Sequence, residues 1–213
     1  MTFLLPAALL VAMLSGCTDN SADNQEAYKT IGINALAEQD FEGAVDAFQR
    51  ALGQSRGVVT PKEIDICYYK AIAQYASGDA AGARETYDAL LDYDDSLSEA
   101  YFLRGNLSLD EGNAADAVSD YEAAVSRDPE DLELYIAICE NLTNTGHVEE
   151  GRSFLTKATQ LSGSGADKRA LRGRAYTLLG DYENAAAELS AAIQGGSAVA
   201  ELYMGQLLTE TGD

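Results

Sequence analysis

The sequence predicts an all-α protein, an α-solenoid in which antiparallel helix pairs stack in a row. The first observation is a period, because Gly78, Gly112, Gly146 and Gly180 follow one another at intervals of 34 residues. The second is that apolar residues recur at helical spacing on both sides of each glycine, which indicates two helices per period. One helix pair cannot cover its own apolar surface, so the pairs must stack.

Each unit is predicted to hold a first helix, A, a tight turn and an antiparallel second helix, B. The glycine marks the turn because it tolerates the left-handed conformation that stops a helix. On helix B, a small residue five positions past the glycine allows the two helices to approach closely, and a larger residue usually follows four positions later. The small residues are Ala83, Ala117, Gly151 and Ala185, and the later ones are Tyr87, Tyr121, Leu155 and Leu189.

The same frame sets the domain boundaries. The first unit fits with Gln39 in place of the glycine, 39 residues before Gly78, and the extra residues fall in a predicted loop before Pro61. We expect about five and a half units. The predicted segments are a signal peptide at 1–17, a polar tether at 18–24 and a repeat array at 25–213, with units at 25–58, 64–97, 98–131, 132–165, 166–197 and a partial unit at 198–213.

The last unit has only its helix A, near Glu201 to Glu210, followed by Gly212 and Asp213. A terminal repeat normally carries a polar capping helix. We therefore expect the chain to continue past Asp213; the alternative is that another chain covers this end.

The pattern resembles the tetratricopeptide repeat, whose period is 34 residues and whose helix A carries a bulky residue followed four positions later by glycine or alanine. The resemblance covers residues 25–213, and Pro129 matches the proline that ends helix B in that family. It implies a superhelix whose concave face is lined by A helices. The matching pairs are Tyr28 and Gly32, Cys67 and Ala71, Tyr101 and Gly105, Tyr135 and Cys139, and Glu201 and Gly205. In the fifth unit Arg169 is a weaker match to the bulky position, although Gly173 keeps the frame.

The resemblance also implies a partner-binding surface on that concave face. Its aromatic, amide and carboxylate side chains suit an extended peptide or a partner helix. The alternative is that the aromatic residues pack within the superhelix and the acidic ones are solvated. The candidate residues are Tyr68, Ile72, Tyr75, Phe102, Asn106, Asp110, Glu133, Glu140, Asn144 and Arg174, and Leu109 and Ile136 fall at the same helix positions.

The charge indicates the kind of partner. Acidic residues outnumber basic ones 35 to 14, giving a net charge of −21, which disfavours nucleic acid and anionic lipid. Members of the family that bind acidic chaperone C-termini use lysines on the concave face, where this chain has apolar or acidic residues. We expect a protein or peptide partner with basic residues and an apolar anchor.

The sequence offers little for catalysis, and we predict no enzyme activity, cofactor or metal. It has a single histidine, His147, at a predicted turn, and no CxxC pair. The acidic run from Asp92 to Asp95 lacks the central glycine of an EF-hand and reads as a solvated loop. Cys67 and Cys139 fall at helix-core positions, where a small buried thiol is the simplest interpretation.

The N-terminus is predicted to be a targeting segment. The apolar run from Phe3 to Leu14 has 12 residues, too few for a spanning helix, which needs about 20. It leads into Leu14-Ser15-Gly16-Cys17, which resembles the lipobox of bacterial lipoproteins, although Met-Thr-Phe lacks the usual Lys or Arg at the start. The resemblance implies cleavage before Cys17 and attachment of lipid to its thiol.

Together these expectations describe a lipid-anchored scaffold or adaptor on the extracytoplasmic side of a cell membrane. In a Gram-positive cell it would lie on the outer leaflet, and in a Gram-negative cell the outer membrane is a second location. An alternative function is that of an accessory lipoprotein subunit of an envelope machine for outer-membrane protein insertion or pilus biogenesis.

Overall fold

A computed structural model describes residues 21–55, 57 and 59–212, and within these residues the fold is entirely helical. This confirms the predicted α-solenoid. The odd-numbered helices are the A helices and the even-numbered ones the B helices. Their bounds are α1 (Ser21–Ala37), α2 (Phe41–Leu52), α3 (Pro61–Ala76), α4 (Ala80–Tyr93), α5 (Ser98–Asp110), α6 (Ala114–Arg127), α7 (Leu132–Asn144), α8 (Val148–Thr159), α9 (Ala166–Leu179), α10 (Tyr182–Gln194) and α11 (Ala200–Thr211).

The helices form two layers. Each A helix packs against the B helix that follows it, and each B helix packs against the next A helix. Successive A helices also contact one another, at α1–α3, α5–α7, α7–α9 and α9–α11, whereas the B helices do not approach one another to that extent. The A layer therefore lies on the inner side of the curve, where the candidate residues were placed.

The turns within the units adopt the predicted conformation. Gly78, Gly112, Gly146 and Gly180 have φ between +79° and +90°. Gln39 takes this place in the first unit with φ +61°, the one positive-φ residue other than glycine in the described part of the chain. A side chain in this region costs about 1 kcal/mol relative to glycine.

α1 begins at Ser21, inside the segment 18–24 that the sequence predicts to be a polar tether. Asp23 lies in the first turn of α1, where a carboxylate complements the helix dipole. Gln25, the first residue predicted to belong to the array, is buried and donates to Glu63 Oε1 at 2.7 Å. The predicted signal peptide and Cys17 lie outside the described residues.

The core of a unit is built by a large B-helix side chain placed over a glycine of helix A. A methyl group added to Gly105 would lie 2.8 Å from Tyr121, and one added to Gly32 would lie 2.5 Å from Phe48. Both aromatic side chains are fully buried. The helices approach so closely because no Cβ separates them.

Glu63 fixes the start of α3 and carries a pH prediction. Its carboxylate accepts hydrogen bonds from the Thr60 amide at 2.9 Å, from the Thr60 hydroxyl and from Gln25. Burial alone would raise the pKa of Glu63, but these bonds favour the charged form and lower it to about 2.

We therefore expect Glu63 to stabilise the fold fully above about pH 5 and to lose this contribution as the pH falls towards 2, because the unfolded side chain titrates near 4.3. Urea unfolding between pH 7 and pH 2 should show a weaker pH dependence for Glu63→Gln than for the wild type. Glu42→Gln, at an exposed first-turn glutamate, is the matched control. Equal slopes for the two variants would contradict the assignment.

Candidate partner-binding groove

The candidate residues lie along the A layer, and several join one A helix to the next. The Tyr75 hydroxyl of α3 donates to Asp110 Oδ2 of α5 at 2.6 Å. Arg174 of α9 forms an ion pair with Glu140 of α7, and its guanidinium lies 5.3 Å from the ring centre of Tyr203 in α11. These contacts brace the inner layer, and they leave Asp110 and Glu140 already partnered.

The side chain of Asn106 is also hydrogen-bonded within the fold. Its Oδ1 accepts from the Tyr121 hydroxyl at 2.8 Å and from Asn141 Nδ2 at 2.9 Å. Leu109 and Ile136, at the same helix positions as the candidates, are 5% and 2% exposed. The structure therefore places these two in the core, where a partner cannot reach them.

Along the A layer, the residues that the structure describes line three cavities that concern the candidates. The first, which we call the Phe102 cavity, lies between the first turns of α5 and α7 and has a volume of about 370 Å³. The second, of about 310 Å³, lies between the last turns of the same helices, and the third, of about 540 Å³, lies between α7, α9 and α11. The Phe102 cavity is lined by Ser98, Glu99, Phe102, Asp128, Asp131, Glu133, Leu134 and Ala137.

The Phe102 cavity combines an apolar floor with an acidic rim. Within the described residues, no ion pair joins Glu99, Asp128 or Glu133 to a basic side chain. Asp131 caps α7 by accepting from the amides of Glu133 and Leu134 at 2.9 and 3.1 Å. The rim is thus the part of the groove whose negative charge is least neutralised by its neighbours.

Sequence reasoning missed Glu99 and Asp128. Glu99 precedes Phe102 by three residues on one helix, so the two share a face, and this spacing was a usable signal. Asp128 is the C-cap residue of α6, and it reaches the rim because the chain turns there into α7. No periodic pattern in the sequence indicates that position.

The aromatic side chains of α3 continue the surface towards the N-terminal units. Tyr68 is half-buried, and burial, with the nearby charge of Glu99, raises its pKa. Ile72 and Tyr75 are 41% and 44% exposed. The groove therefore has an apolar side on α3 and an acidic side at the Phe102 cavity.

The remaining candidates divide between the other two cavities. Asn144 is exposed and lines the second cavity with Asp110. Arg174 and Glu140 line the third, where Arg152 adds a second guanidinium that donates to the Leu179 carbonyl at 3.1 Å. The groove thus changes from acidic to mixed charge along its length.

The histidine and two of the cysteines, which we did not favour as catalytic residues, lie at a helix start and within helices. His147 is the N-cap residue of α8. Cys67 and Cys139 are free thiols, and burial raises the pKa of both. Residues 21–55, 57 and 59–212 contain no group of three or more His, Cys, Asp and Glu arranged to hold a metal. None of their helices is long and apolar enough to cross a bilayer.

Known proteins share the repeat pattern of this chain. Tetratricopeptide-repeat family models match residues 35–107, 108–175 and 169–194. Hsp70-Hsp90 organizing protein 3 of Arabidopsis thaliana is 24% identical over 71% of this chain and 25% of its own length. DnaJ protein P58IPK homolog B of Oryza sativa subsp. japonica is 33% identical over 46% of this chain and 24% of its own length. The chain thus spans about a quarter of the length of these curated relatives.

Solved structures show the same fold at low sequence identity. The structure of pilF from Pseudomonas aeruginosa matches with a TM-score of 0.54 and 16% identity, over 91% of this chain and 87% of that one. A tetratricopeptide repeat protein from Parabacteroides merdae matches with a TM-score of 0.53 and 14% identity, over 89% of this chain and 74% of that one. At such identities the likeness concerns the fold alone.

Proposed function

We propose that this chain, which belongs to the tetratricopeptide-repeat family, is a scaffold or adaptor that binds other proteins through the concave groove. The repeat forms stacked helices around an extended surface, an arrangement that suits peptide and helix binding. The named relatives include a protein described as organizing two other proteins, which supports the same general role.

The observation that carries the proposal is the Phe102 cavity. Apolar side chains on its floor can anchor an apolar residue of a partner, and the free carboxylates on its rim attract a basic one. A lysine or arginine suits both parts, because its aliphatic stem packs on an apolar surface while its charge remains at the rim. The favoured ligand is therefore a segment in which Lys or Arg lies next to an apolar residue.

We expect Phe102→Ala or Tyr68→Ala to weaken partner binding by about 1–3 kcal/mol, because each removes an anchor from the groove. Glu133→Gln should mainly slow association, and affinity should fall as salt rises, since rim charges act through the solvent. The measurement is pull-down from cell-envelope extract, followed by binding kinetics at two salt concentrations.

Glu149→Gln, at an exposed glutamate of α8 on the B layer, is the matched control for Glu133→Gln and should leave association unchanged. An acidic partner, or binding indifferent to salt and to both aromatic changes, would place the interaction on the B layer or the loops. Recovery of outer-membrane insertion or pilus-assembly components would favour the accessory-subunit form of the proposal.

We further propose that the protein is held at the extracytoplasmic side of the membrane by lipid on Cys17. The support is the apolar run and the Leu14-Ser15-Gly16-Cys17 sequence. Two acyl chains hold a protein at a membrane stably, whereas one gives only marginal binding. Cys17→Ala should abolish acyl labelling and move the protein from the membrane fraction to the soluble fraction. Unchanged membrane retention would refute the anchor.

A further inference from the structure

A pair of opposite charges recurs between the two helices of a repeat. In the third unit Arg104 of α5 binds Asp120 of α6 at 2.7 Å, and in the fifth unit Arg172 of α9 binds Glu188 of α10 at 2.8 Å. In both units the carboxylate follows the arginine by 16 residues, so the two pairs lie at the same place in the repeat. The cation at this place thus receives its anion from helix B of its own unit.

The second unit has the cation at this place without the anion. Lys70 of α3 is equivalent to the two arginines, and the residue 16 positions later is Thr86 of α4, whose hydroxyl donates to Gln74 Oε1 at 2.7 Å. Among the residues that the structure describes, no ion pair involves Lys70. Both helices of this unit are present and α5 follows them, so the place of the anion is not left open by an end of the chain.

A cavity of about 450 Å³, which we call the Lys70 cavity, lies between α3, α4 and the last turn of α2. Because α3 and α4 are antiparallel, the first turns of α3 face the last turns of α4. The cavity is apolar at that end, where Leu52, Ile64 and Leu90 line it, and polar at the other end, where Lys70 and Gln74 line it. Its volume lies within the range of pockets that bind small molecules, about 300–1,000 Å³.

Two carboxylates also line the Lys70 cavity, and neither forms an ion pair with Lys70. The carboxylate of Glu63 already accepts hydrogen bonds from neighbouring groups, and Glu85 is exposed to solvent. Gln74 lies one turn after Lys70 on the same face of α3, and its Nε2 makes only a long contact, 3.5 Å, with Asp79. An ammonium and an amide donor are therefore available to an anion at this end.

We propose that the Lys70 cavity binds a small carboxylic acid with an apolar body, of the fatty acid class. Its carboxylate lies on Lys70, in the place that Asp120 and Glu188 occupy in the other units, and its apolar body lies against Ile64 and Leu90. Burial of the apolar body supplies affinity, and the charge-assisted hydrogen bond orients the ligand. The net charge of −21 disfavours anionic membranes, whereas a single carboxylate needs only this local cation.

The test titrates the full chain with decanoate and with decanol, its uncharged counterpart, and follows the chemical shifts of the backbone amides. We expect decanoate to bind with shifts centred on Ile64, Lys70 and Leu90, and decanol to bind at least tenfold more weakly. Lys70→Gln should weaken decanoate binding at least tenfold, whereas Lys70→Arg should retain it. Lys157→Gln, at an exposed lysine of α8, is the matched control and should leave binding unchanged.

Thr86→Asp checks the equivalence of the units independently. It restores a carboxylate 16 residues after the cation, so the new side chain should pair with Lys70 and occupy the place of the ligand carboxylate. We expect decanoate to bind this variant at least tenfold more weakly than the wild type, with the circular dichroism unchanged.

Decanoate binding that survives Lys70→Gln, equal binding of decanoate and decanol, or an absence of binding at millimolar decanoate would overturn the proposal. The peptide acetyl-leucyl-leucine carries the same carboxylate on a chain terminus. If it binds more tightly than decanoate, the cavity recognises a protein C-terminus and the assignment to a fatty acid is wrong.

Discussion

Replacing Tyr121 with alanine is expected to reduce the free energy of unfolding by about 3–5 kcal/mol, the range for removing a large aromatic side chain from a core. Tyr121 is fully buried over Gly105, and its ring centre lies 5.9 Å from that of Phe102 and 6.3 Å from that of Phe154. It therefore joins α5, α6 and α8, and alanine would leave a cavity at that junction.

Urea unfolding followed by circular dichroism measures this effect, and Tyr121→Phe is the control. The control keeps the ring and loses only the hydroxyl bond to Asn106, so we expect a cost of about 1 kcal/mol. Burial raises the pKa of Tyr121 to about 12, so its hydroxyl stays protonated and donates at any ordinary pH. Similar losses for the two variants would show that the ring does not hold the units together.

Arg104 is the second position where a large effect is expected. Its guanidinium binds both carboxylate oxygens of Asp120, at 3.0 and 2.7 Å, and Asp88 Oδ1 at 2.7 Å. The Asp120 side chain is only 11% exposed, and its bonds to the guanidinium raise the pKa of Arg104. Arg104 thus links α5 to both α4 and α6.

We expect Arg104→Met to cost about 2–3 kcal/mol, because it leaves the Asp120 carboxylate in the interior without its cation and the pair is partly solvated. Asp88→Asn should cost less than about 1 kcal/mol, since that side chain is 48% exposed. The double variant Arg104→Met with Asp120→Asn should recover part of the loss. A double variant as unstable as the sum of its parts would contradict the proposed coupling.

The fold could be predicted from the sequence because the same pattern recurs in several units. The glycines at intervals of 34 residues have the predicted positive φ, and Tyr121, one of the larger residues that recur on helix B, is buried. The start of α1 could not be predicted in this way, because residues 21–24 are polar except for Ala22 and show no apolar periodicity. The bond that joins this end of α1 to α3 links Gln25 to Glu63, which are 38 residues apart.

Only part of the candidate site could be predicted from the sequence, for a physical reason. Periodicity places a residue on a face of a helix, and Phe102 and Glu133 do lie together in one cavity. Periodicity does not reveal which polar residues already have partners. Glu140 and Asp110 lie in the inner layer with Arg174 and Tyr75 as partners from neighbouring repeats, at a distance of about one period in the sequence. Their charge is therefore less available to a ligand than that of Glu99, Asp128 and Glu133.

The most direct test of the groove is selection of ligands from an unbiased peptide-display library, using the wild-type protein and Phe102→Ala in parallel. Enriched peptides should carry Lys or Arg beside an apolar residue. Their binding should weaken by about 1–3 kcal/mol in Phe102→Ala and should fall with added salt. Chemical-shift changes should map to the facing turns of α5 and α7. Enrichment of acidic peptides, or of basic ones that bind Phe102→Ala as tightly as the wild type, would contradict the assignment of the Phe102 cavity as the partner-binding site.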